Sequence, residues 1–207
     1  MSDSVRGMVQ NTLDQLNVAT PPSAVDNILK YVQLMCSWNR VYNLTAIKKE
    51  QEVVRSLVVP SIRMFEVVSR FSTIMDLGSG GGIPGVVLAA LAQDDQTVTC
   101  VEKVGKKAAF IKVAAAELGL KNLNVSQVNF LDLEPRGDVG VIVSRGSAPL
   151  DTQLQWTQAW RQHGTLLLSV QTQESQQQSS SKVQPSETVC LDKTLGLWGL
   201  VYGKSLA

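Results

Sequence analysis

Cysteine and histidine are both scarce in this 207-residue chain. Cys36, Cys100 and Cys190 are isolated and odd in number. They offer neither a disulfide framework nor a metal-ligand spacing, which fits a reducing cytoplasm. The only histidine is His163, and its place beside a loop reads as surface or structural. No run of about 18 or more apolar residues occurs, so no segment is expected to span a membrane. Residues 1–4 lack the basic stretch and apolar core of a secretory signal, and a cytoplasmic location is the expectation. An excess of one charge is also missing. Nineteen Lys and Arg face eighteen Asp and Glu, a net charge of +1, so any basic surface must be local.

What the chain does have is a glycine-rich turn directly after an apolar run, Ile74-Met75-Asp76-Leu77-Gly78-Ser79-Gly80-Gly81-Gly82-Ile83-Pro84-Gly85. That is the join between a buried strand and a helix that receives a cofactor. Glycine allows unusual φ/ψ and close approach of a ligand to the backbone. Pro84 suits the first turn of the next helix, where a missing N–H costs nothing. Gly80, Gly82 and Gly85 also satisfy the dinucleotide spacing, with Glu102 about 20 residues on to take a ribose hydroxyl. A dinucleotide places its pyrophosphate on the helix N-terminus, where the carboxylate of Asp76 would repel it. S-adenosylmethionine has no phosphate and carries an ammonium and a sulfonium, so Asp76 is favourable beside it. The loop therefore reads as a methyl-donor site. Asp76 is expected near the amino-acid end, Gly78, Ser79, Gly80 and Gly82 along the cofactor, and Glu102 on the ribose.

Three regions follow along the chain. Residues 5–70 are patterned as helix, with Val25, Ile28, Leu29, Val32 and Met35 at three-to-four spacing after Pro21-Pro22-Ser23. Residues 73–171 alternate. Strands are expected at 73–76, 97–102, 124–128, 139–144 and 165–170, and helices at 84–91, 106–118 and 150–161. This alternation predicts a doubly wound, mostly parallel α/β sheet with right-handed crossovers. Residues 188–191 and 197–203 suggest a closing antiparallel hairpin. The Gln/Ser-rich segment 171–184 has too little apolar surface to order itself and is expected to be a mobile loop, with a lid as the alternative. The division expected is a small N-terminal helical, substrate-side domain (1–70) and a cofactor-binding domain (71–207).

Trp38-Asn39-Arg40-Val41-Tyr42-Asn43-Leu44-Thr45 resembles the W-N-x-x-x-N-L-T signature of the bacterial glucose-inhibited division protein B (GidB/RsmG) family. The loop 76–85 is similar to that family's cofactor loop, including its Pro-Gly ending. Ser144-Arg145 resembles its Ser-Arg-Ala element with Gly146 in the third place, and 105–120 matches its second cofactor-side helix. The likeness covers roughly residues 25–164. It implies a class I, Rossmann-like methyltransferase that uses S-adenosylmethionine to methylate N7 of one guanine in 16S rRNA. The implied partner is 16S rRNA or the small ribosomal subunit; no metal and no membrane are expected, and the alternating pattern shows no dimer stripe, so a monomer is the expectation.

That chemistry suits a chain with one histidine. Guanine N7 has a lone pair and no proton, so the reaction needs positioning rather than a base. Arg145 and Asn43 are the residues expected to position the acceptor, with Trp38 or Tyr42 as stacking faces. Asn129 would meet the adenine amino group and the Phe130 N–H a ring nitrogen. Other readings stay open. Trp38 and Tyr42 fit one buried helix face, and Asn43 and Asn129 each fit a cap. Lys103, Lys106 and Lys107 suit RNA phosphates or a solvated helix start.

The chain also departs from the family pattern. Where a His and an Asp–Ser pair are common, it reads Ser56-Leu57-Val58-Val59-Pro60-Ser61, and Val170-Gln171 stands where a Lys-Gly step is usual. The glycine loop is untouched by these changes. They leave open a member that binds S-adenosylmethionine but transfers to another acceptor, or not at all.

Overall fold

A computed structural model describes residues 3–180 and 183–203. Its centre is a seven-stranded sheet in the order β3-β2-β1-β4-β5-β7-β6. The strands are β1 (Thr73–Leu77), β2 (Thr97–Val101), β3 (Leu123–Ser126), β4 (Val141–Arg145), β5 (Leu166–Thr172), β6 (Glu187–Asp192) and β7 (Leu197–Tyr202). The first five pair in parallel, and β7 runs antiparallel to both β5 and β6. The expected closing hairpin is therefore present. The sheet order reverses between β1 and β4, and ligands bind outside the carboxyl ends of strands at such a switch point.

Strand alternation divides the core into two faces. Ile74, Val98, Cys100, Val141, Val143 and Leu168 point to one side. There they meet α1 (Asp3–Asp14), α2 (Ala24–Tyr42), α4 (Val59–Val68), α5 (Gly85–Leu91) and α6 (Gly105–Leu118), with the single turn α3 (Glu50–Val53) before α4. Met75, Leu77, Ile142 and Leu167 point to the other side, onto α7 (Leu150–Trp156) and α8 (Gln158–Gln162). The N-terminal helices share one buried cluster with α5, α6 and the sheet.

Two helices depart from the simple expectation. A π-helical turn, Val54–Val58, joins α3 to α4, with the Val59 N–H reaching back to Val54 O. Pro60 follows at the start of α4. It has no N–H for the carbonyl four residues back, Ser56 O, so a widened turn accommodates it. The helix expected over 150–161 is broken at Thr157, whose Oγ1 donates to Gln153 O at 2.8 Å and competes with the helical ladder.

The 171–184 segment also differs from the loop expected. Gln171 and Thr172 complete β5 opposite Trp198 and Leu197. Thr172 then caps the short helix α9 (Gln173–Gln177) through a reciprocal bond with Ser175, and Ser180 N and Oγ both donate to Asp151. Polar partners give this stretch a short helix and a tie to Asp151 where composition counted only its lack of apolar surface. Residues 181 and 182 lie outside the described residues.

Candidate functional site

The glycine turn leaves β1 at the switch point, facing the end of β4. The Gly78 and Ser79 N–H groups donate to Val101 O at the end of β2. Gly78, Gly80 and Gly82 all take positive φ (70°, 57° and 88°), which side chains resist. A Cβ on Gly78 would lie 2.7 Å from Ser147 Cβ, so the β1 and β4 ends are in contact. A Cβ on Gly80 would meet only Gly78 O, at 4.0 Å. That open side faces a cavity of about 490 Å³, within the size range of cofactor pockets.

Most of the expected residues do line this cavity. Gly78, Ser79, Gly80, Glu102, Asn129, Phe130 and Arg145 are all on its wall. Glu102, just past β2, is the organising carboxylate. Its Oε2 accepts the Gly80 N–H at 2.8 Å and its Oε1 the Val104 N–H at 2.7 Å. Each oxygen retains a further lone pair for a diol. Ser79 Oγ donates to Asp76 O at 3.0 Å, so its hydroxyl braces the turn. Asn129 Oδ1 accepts the Leu131 N–H at 3.3 Å, which realises the cap reading and leaves the amide group at the wall. The Phe130 ring is buried against Trp160, 5.7 Å between centroids.

Three expected residues are placed elsewhere, and each has a physical reason. Asp76 does not face the cavity. Alternation puts it on the α5 side of the sheet, where it is buried and its Oδ2 accepts the Gly85 N–H at 2.9 Å. The carboxylate thus anchors the start of α5, and a Cβ on Gly85 would collide with it and with Cys100. Burial raises the Asp76 pKa to about 7, against the lowering effect of the Gly85 N–H, and its Oδ1 has no partner. Gly82 also lies off the cavity wall. A Cβ there would be 2.5 Å from Val86 Cγ2 and 3.3 Å from the Tyr31 hydroxyl, so this glycine permits close helix–loop packing. Asn43 is not at the cavity either. It ends α2 in the left-handed conformation (φ 50°, ψ 55°), a position asparagine tolerates, so the cap reading is the one realised.

The W-N-x-x-x-N-L-T stretch accordingly builds the site's outer wall. Trp38 packs on Tyr42 and Phe110, at 5.0 and 5.4 Å between ring centroids. Buried Asn39 holds the following loop, accepting from Thr45 N and donating to Ile47 O. Leu44 and Thr45 then reach the cavity.

Arg145 is placed as expected, with an unforeseen partner. Its Nη2 donates to Ser56 O at 2.6 Å, the carbonyl that Pro60 leaves without a helical donor. Burial lowers its pKa from the ordinary arginine value, but a guanidinium stays charged. It forms no ion pair among the described residues.

The sequence reading missed several contributors. Tyr31 Oη donates to Gly81 O at 2.5 Å. Burial pushes this phenol well above its ordinary pKa, so it remains a donor. The signal was its position three residues after Ile28, on the buried stripe of α2. Val104, Val128, Ser147 and Trp156 also line the cavity, and only tertiary structure brings them together. His163 lies outside this wall, with Nδ1 2.8 Å from Ala159 O. Among the described residues no group of three His, Cys, Asp or Glu is arranged to hold a metal, and no helix is long and apolar enough to cross a membrane.

Comparison with solved structures agrees on the fold. A SAM-dependent methyltransferase from Aquifex aeolicus superposes with a TM-score of 0.56 at 14% identity, over 72% of this chain and 91% of that one. A ribosomal protein L11 methylase from Lactobacillus delbrueckii gives 0.50 at 14% identity, over 69% and 75%. Sequence relatives are nearer. Ribosomal RNA small subunit methyltransferase G of Francisella philomiragia is 35% identical over 150 residues, 72% of each chain. The Francisella tularensis subsp. novicida protein of the same name is 35% identical over 72% of this chain and 71% of its own. The family model described as GidB, rRNA small subunit methyltransferase G, matches residues 24–193. With the class I methyltransferase sheet, the glycine turn at its switch point and this match over most of its length, the chain belongs to the GidB family.

Proposed function

We propose that this protein transfers a methyl group from S-adenosylmethionine to N7 of a guanine in 16S rRNA. The observation that carries the reading is the cradle at the switch point, where the backbone of Gly78–Gly80 and the Glu102 carboxylate border one cavity. The cofactor fits it chemically. Glu102 accepts from ribose hydroxyls, the Asn129 amide and the Phe130 N–H meet the adenine edge, and the glycines leave room for the chain of the methionine. When bound, S-adenosylmethionine supplies a methyl group already activated for attack.

The rest of the task is positioning. The acceptor N7 carries a lone pair and no proton, so no side chain has to remove one. The cavity wall accordingly holds Arg145 rather than a histidine. Arg145 sits at the end of β4 with guanidinium N–H groups to spare beyond the Ser56 bond, suited to O6 of the guanine while the N7 lone pair stays free to attack. Lys103 and Lys107 at the rim suit backbone phosphates. Residues 1–70 serve the substrate side and 71–207 the cofactor side, in a monomer working in the cytoplasm.

The test is transfer of labelled methyl to small ribosomal subunits lacking the modification, with cleavage mapping specific for 7-methylguanine. One new site, reduced by Arg145→Ala and abolished by Glu102→Ala, supports the reading. Cofactor binding without incorporation refutes the rRNA acceptor and favours the altered-acceptor or non-catalytic alternative.

A further inference from the structure

The loop 43–48 has two sides. Leu44 and Thr45 face the cofactor cavity, whereas Asn43 and Lys48 line a second cleft of about 480 Å³ with Cys36, Asn39, Arg40 and Glu50. Asn39 ties the two together, because its amide holds Thr45 N and Ile47 O from the cleft side. A strand lying in the cleft and crossing this loop arrives at the cavity mouth.

The surface around the cleft is unusual for this chain. Next to the cleft residue Asn43, at the end of α2, Val41 and Tyr42 are 71% and 39% exposed without lining the cleft themselves. The Tyr42 ring is not free to fold away, since it packs on Trp38, which packs in turn on buried Phe110. A rigid, half-exposed aromatic is the kind of platform on which an unstacked base settles. Arg40 and Lys48 line the cleft and, like most cations among the described residues, form no ion pair. Glu50 is a carboxylate in the cleft, and burial raises the Cys36 pKa so that its thiol brings no negative charge. In a protein of net charge +1, a cleft with two cations to one carboxylate, ending at Asn43 next to an exposed ring, forms a local complement to single-stranded RNA.

We propose that this cleft docks the single-stranded rRNA that flanks the methyl acceptor, with Tyr42 stacking an unpaired base and Arg40 and Lys48 meeting adjacent phosphates. The proposal rests on the reading of rRNA as the substrate. It gives residues of the W-N-x-x-x-N-L-T stretch a role outside the cofactor cavity.

The experiment is binding of the full-length protein to small ribosomal subunits lacking the modification, measured over a salt series beside methyl transfer and calorimetric cofactor binding. Tyr42→Ala is expected to weaken subunit binding roughly tenfold, whereas Tyr42→Phe retains it. The double variant Arg40→Ala/Lys48→Ala should lower the slope of log affinity against log salt by about 1.4, at about 0.7 per phosphate contact on a single strand. Glu50→Gln should tighten binding, a gain that misfolding cannot produce. Arg136→Ala removes a cation near the opposite ends of the strands, beside Asp138, and should change nothing. Cofactor affinity should stay at wild-type values throughout, and the thermal midpoint too, apart from a small fall in Tyr42→Ala from the lost contact with Trp38. Unchanged subunit binding in both Tyr42→Ala and the double variant overturns the proposal, as does an equal loss in Arg136→Ala. A wild-type protein that binds subunits without methylating them refutes the catalytic reading, and the variants still decide the docking site. A wild-type protein that does not bind refutes both.

Discussion

Replacing Asp76 by asparagine keeps the side chain's size and its acceptor for the Gly85 N–H while removing its charge. In the folded protein burial raises this carboxyl from its ordinary 3.8 to about 7. Between those values the folded chain holds a proton that the unfolded chain has released. Stability therefore falls as pH rises through the window and levels off above the folded value. The whole span corresponds to about 4 kcal/mol, taking about 1.4 kcal/mol per pH unit. About 2.5 kcal/mol of it falls between pH 5 and 8, a large part of the roughly 5–15 kcal/mol that holds most domains folded. Urea unfolding of wild type and Asp76→Asn, followed by tryptophan fluorescence at several pH values, isolates this group because other titrations cancel in the difference. The advantage of wild type over the variant should shrink by about 2.5 kcal/mol from pH 5 to pH 8. A difference that stays constant across that range would refute the placement of Asp76 as a buried, half-satisfied anchor. It would also revive the reading in which Asp76 faces solvent and ligand.

Three further outcomes follow from the same geometry. Glu102→Gln keeps an acceptor but loses the charge, and a charged hydrogen bond contributes about 1.5–3 kcal/mol. Cofactor affinity by calorimetry should thus fall roughly ten- to hundredfold, and the unfolding midpoint should fall too, because the amide NH2 now faces one of the two N–H groups, of Gly80 and Val104, that the carboxylate accepted. Tyr31→Phe leaves Gly81 O without the phenol that α2 donates to it, and should lower stability in denaturant by about 1–3 kcal/mol. Gly82→Ala places a Cβ at φ 88° and 2.5 Å from Val86 Cγ2. It should cost about 1–3 kcal/mol through backbone strain, read as a fall in thermal midpoint.

The sheet was legible because strand and helix periods alternate without ambiguity between residues 73 and 170, and each apolar run there became a strand within a few positions. The glycine turn was legible too, since only a strand-to-helix join at a ligand requires that composition. What sequence could not supply was the direction in which each side chain points. Asp76 and Glu102 look alike on the page as carboxylates near the turn. Alternation along β1 buries the first under α5, while Glu102, one step past β2, turns onto the cavity wall. The two asparagines of the W-N-x-x-x-N-L-T stretch illustrate the same limit. Both are amides beside a site, yet Asn39 braces a loop and Asn43 supplies a left-handed helix end. Trp156 and Ser147 reach the cavity through packing between distant segments, which no local pattern encodes. The short helix in the Gln/Ser segment escaped notice for another reason. Composition registers apolar burial, whereas this helix is capped within Thr172–Ser175 and the residues after it bond to Asp151.

The residues that depart from the family pattern form a connected feature. Pro60 deprives Ser56 O of its helical donor, the chain widens into a π turn, and Arg145 crosses from β4 to supply the missing hydrogen bond. Val59, beside Pro60, offers no carboxylate, and the described residues provide none elsewhere for Arg145. The consequence is electrostatic. A guanidinium paired with a carboxylate would present little net field to the cavity, whereas one held by a carbonyl dipole keeps its full positive charge there. Burial opposes that charge, and the Ser56 carbonyl offsets only part of the cost. An electron-rich acceptor entering the cavity would relieve the rest. In this chain the helical layer and the end of β4 are thus joined by a link that also leaves a cation at the site, so changes at 56–60 and the chemistry at Arg145 are coupled through one hydrogen bond.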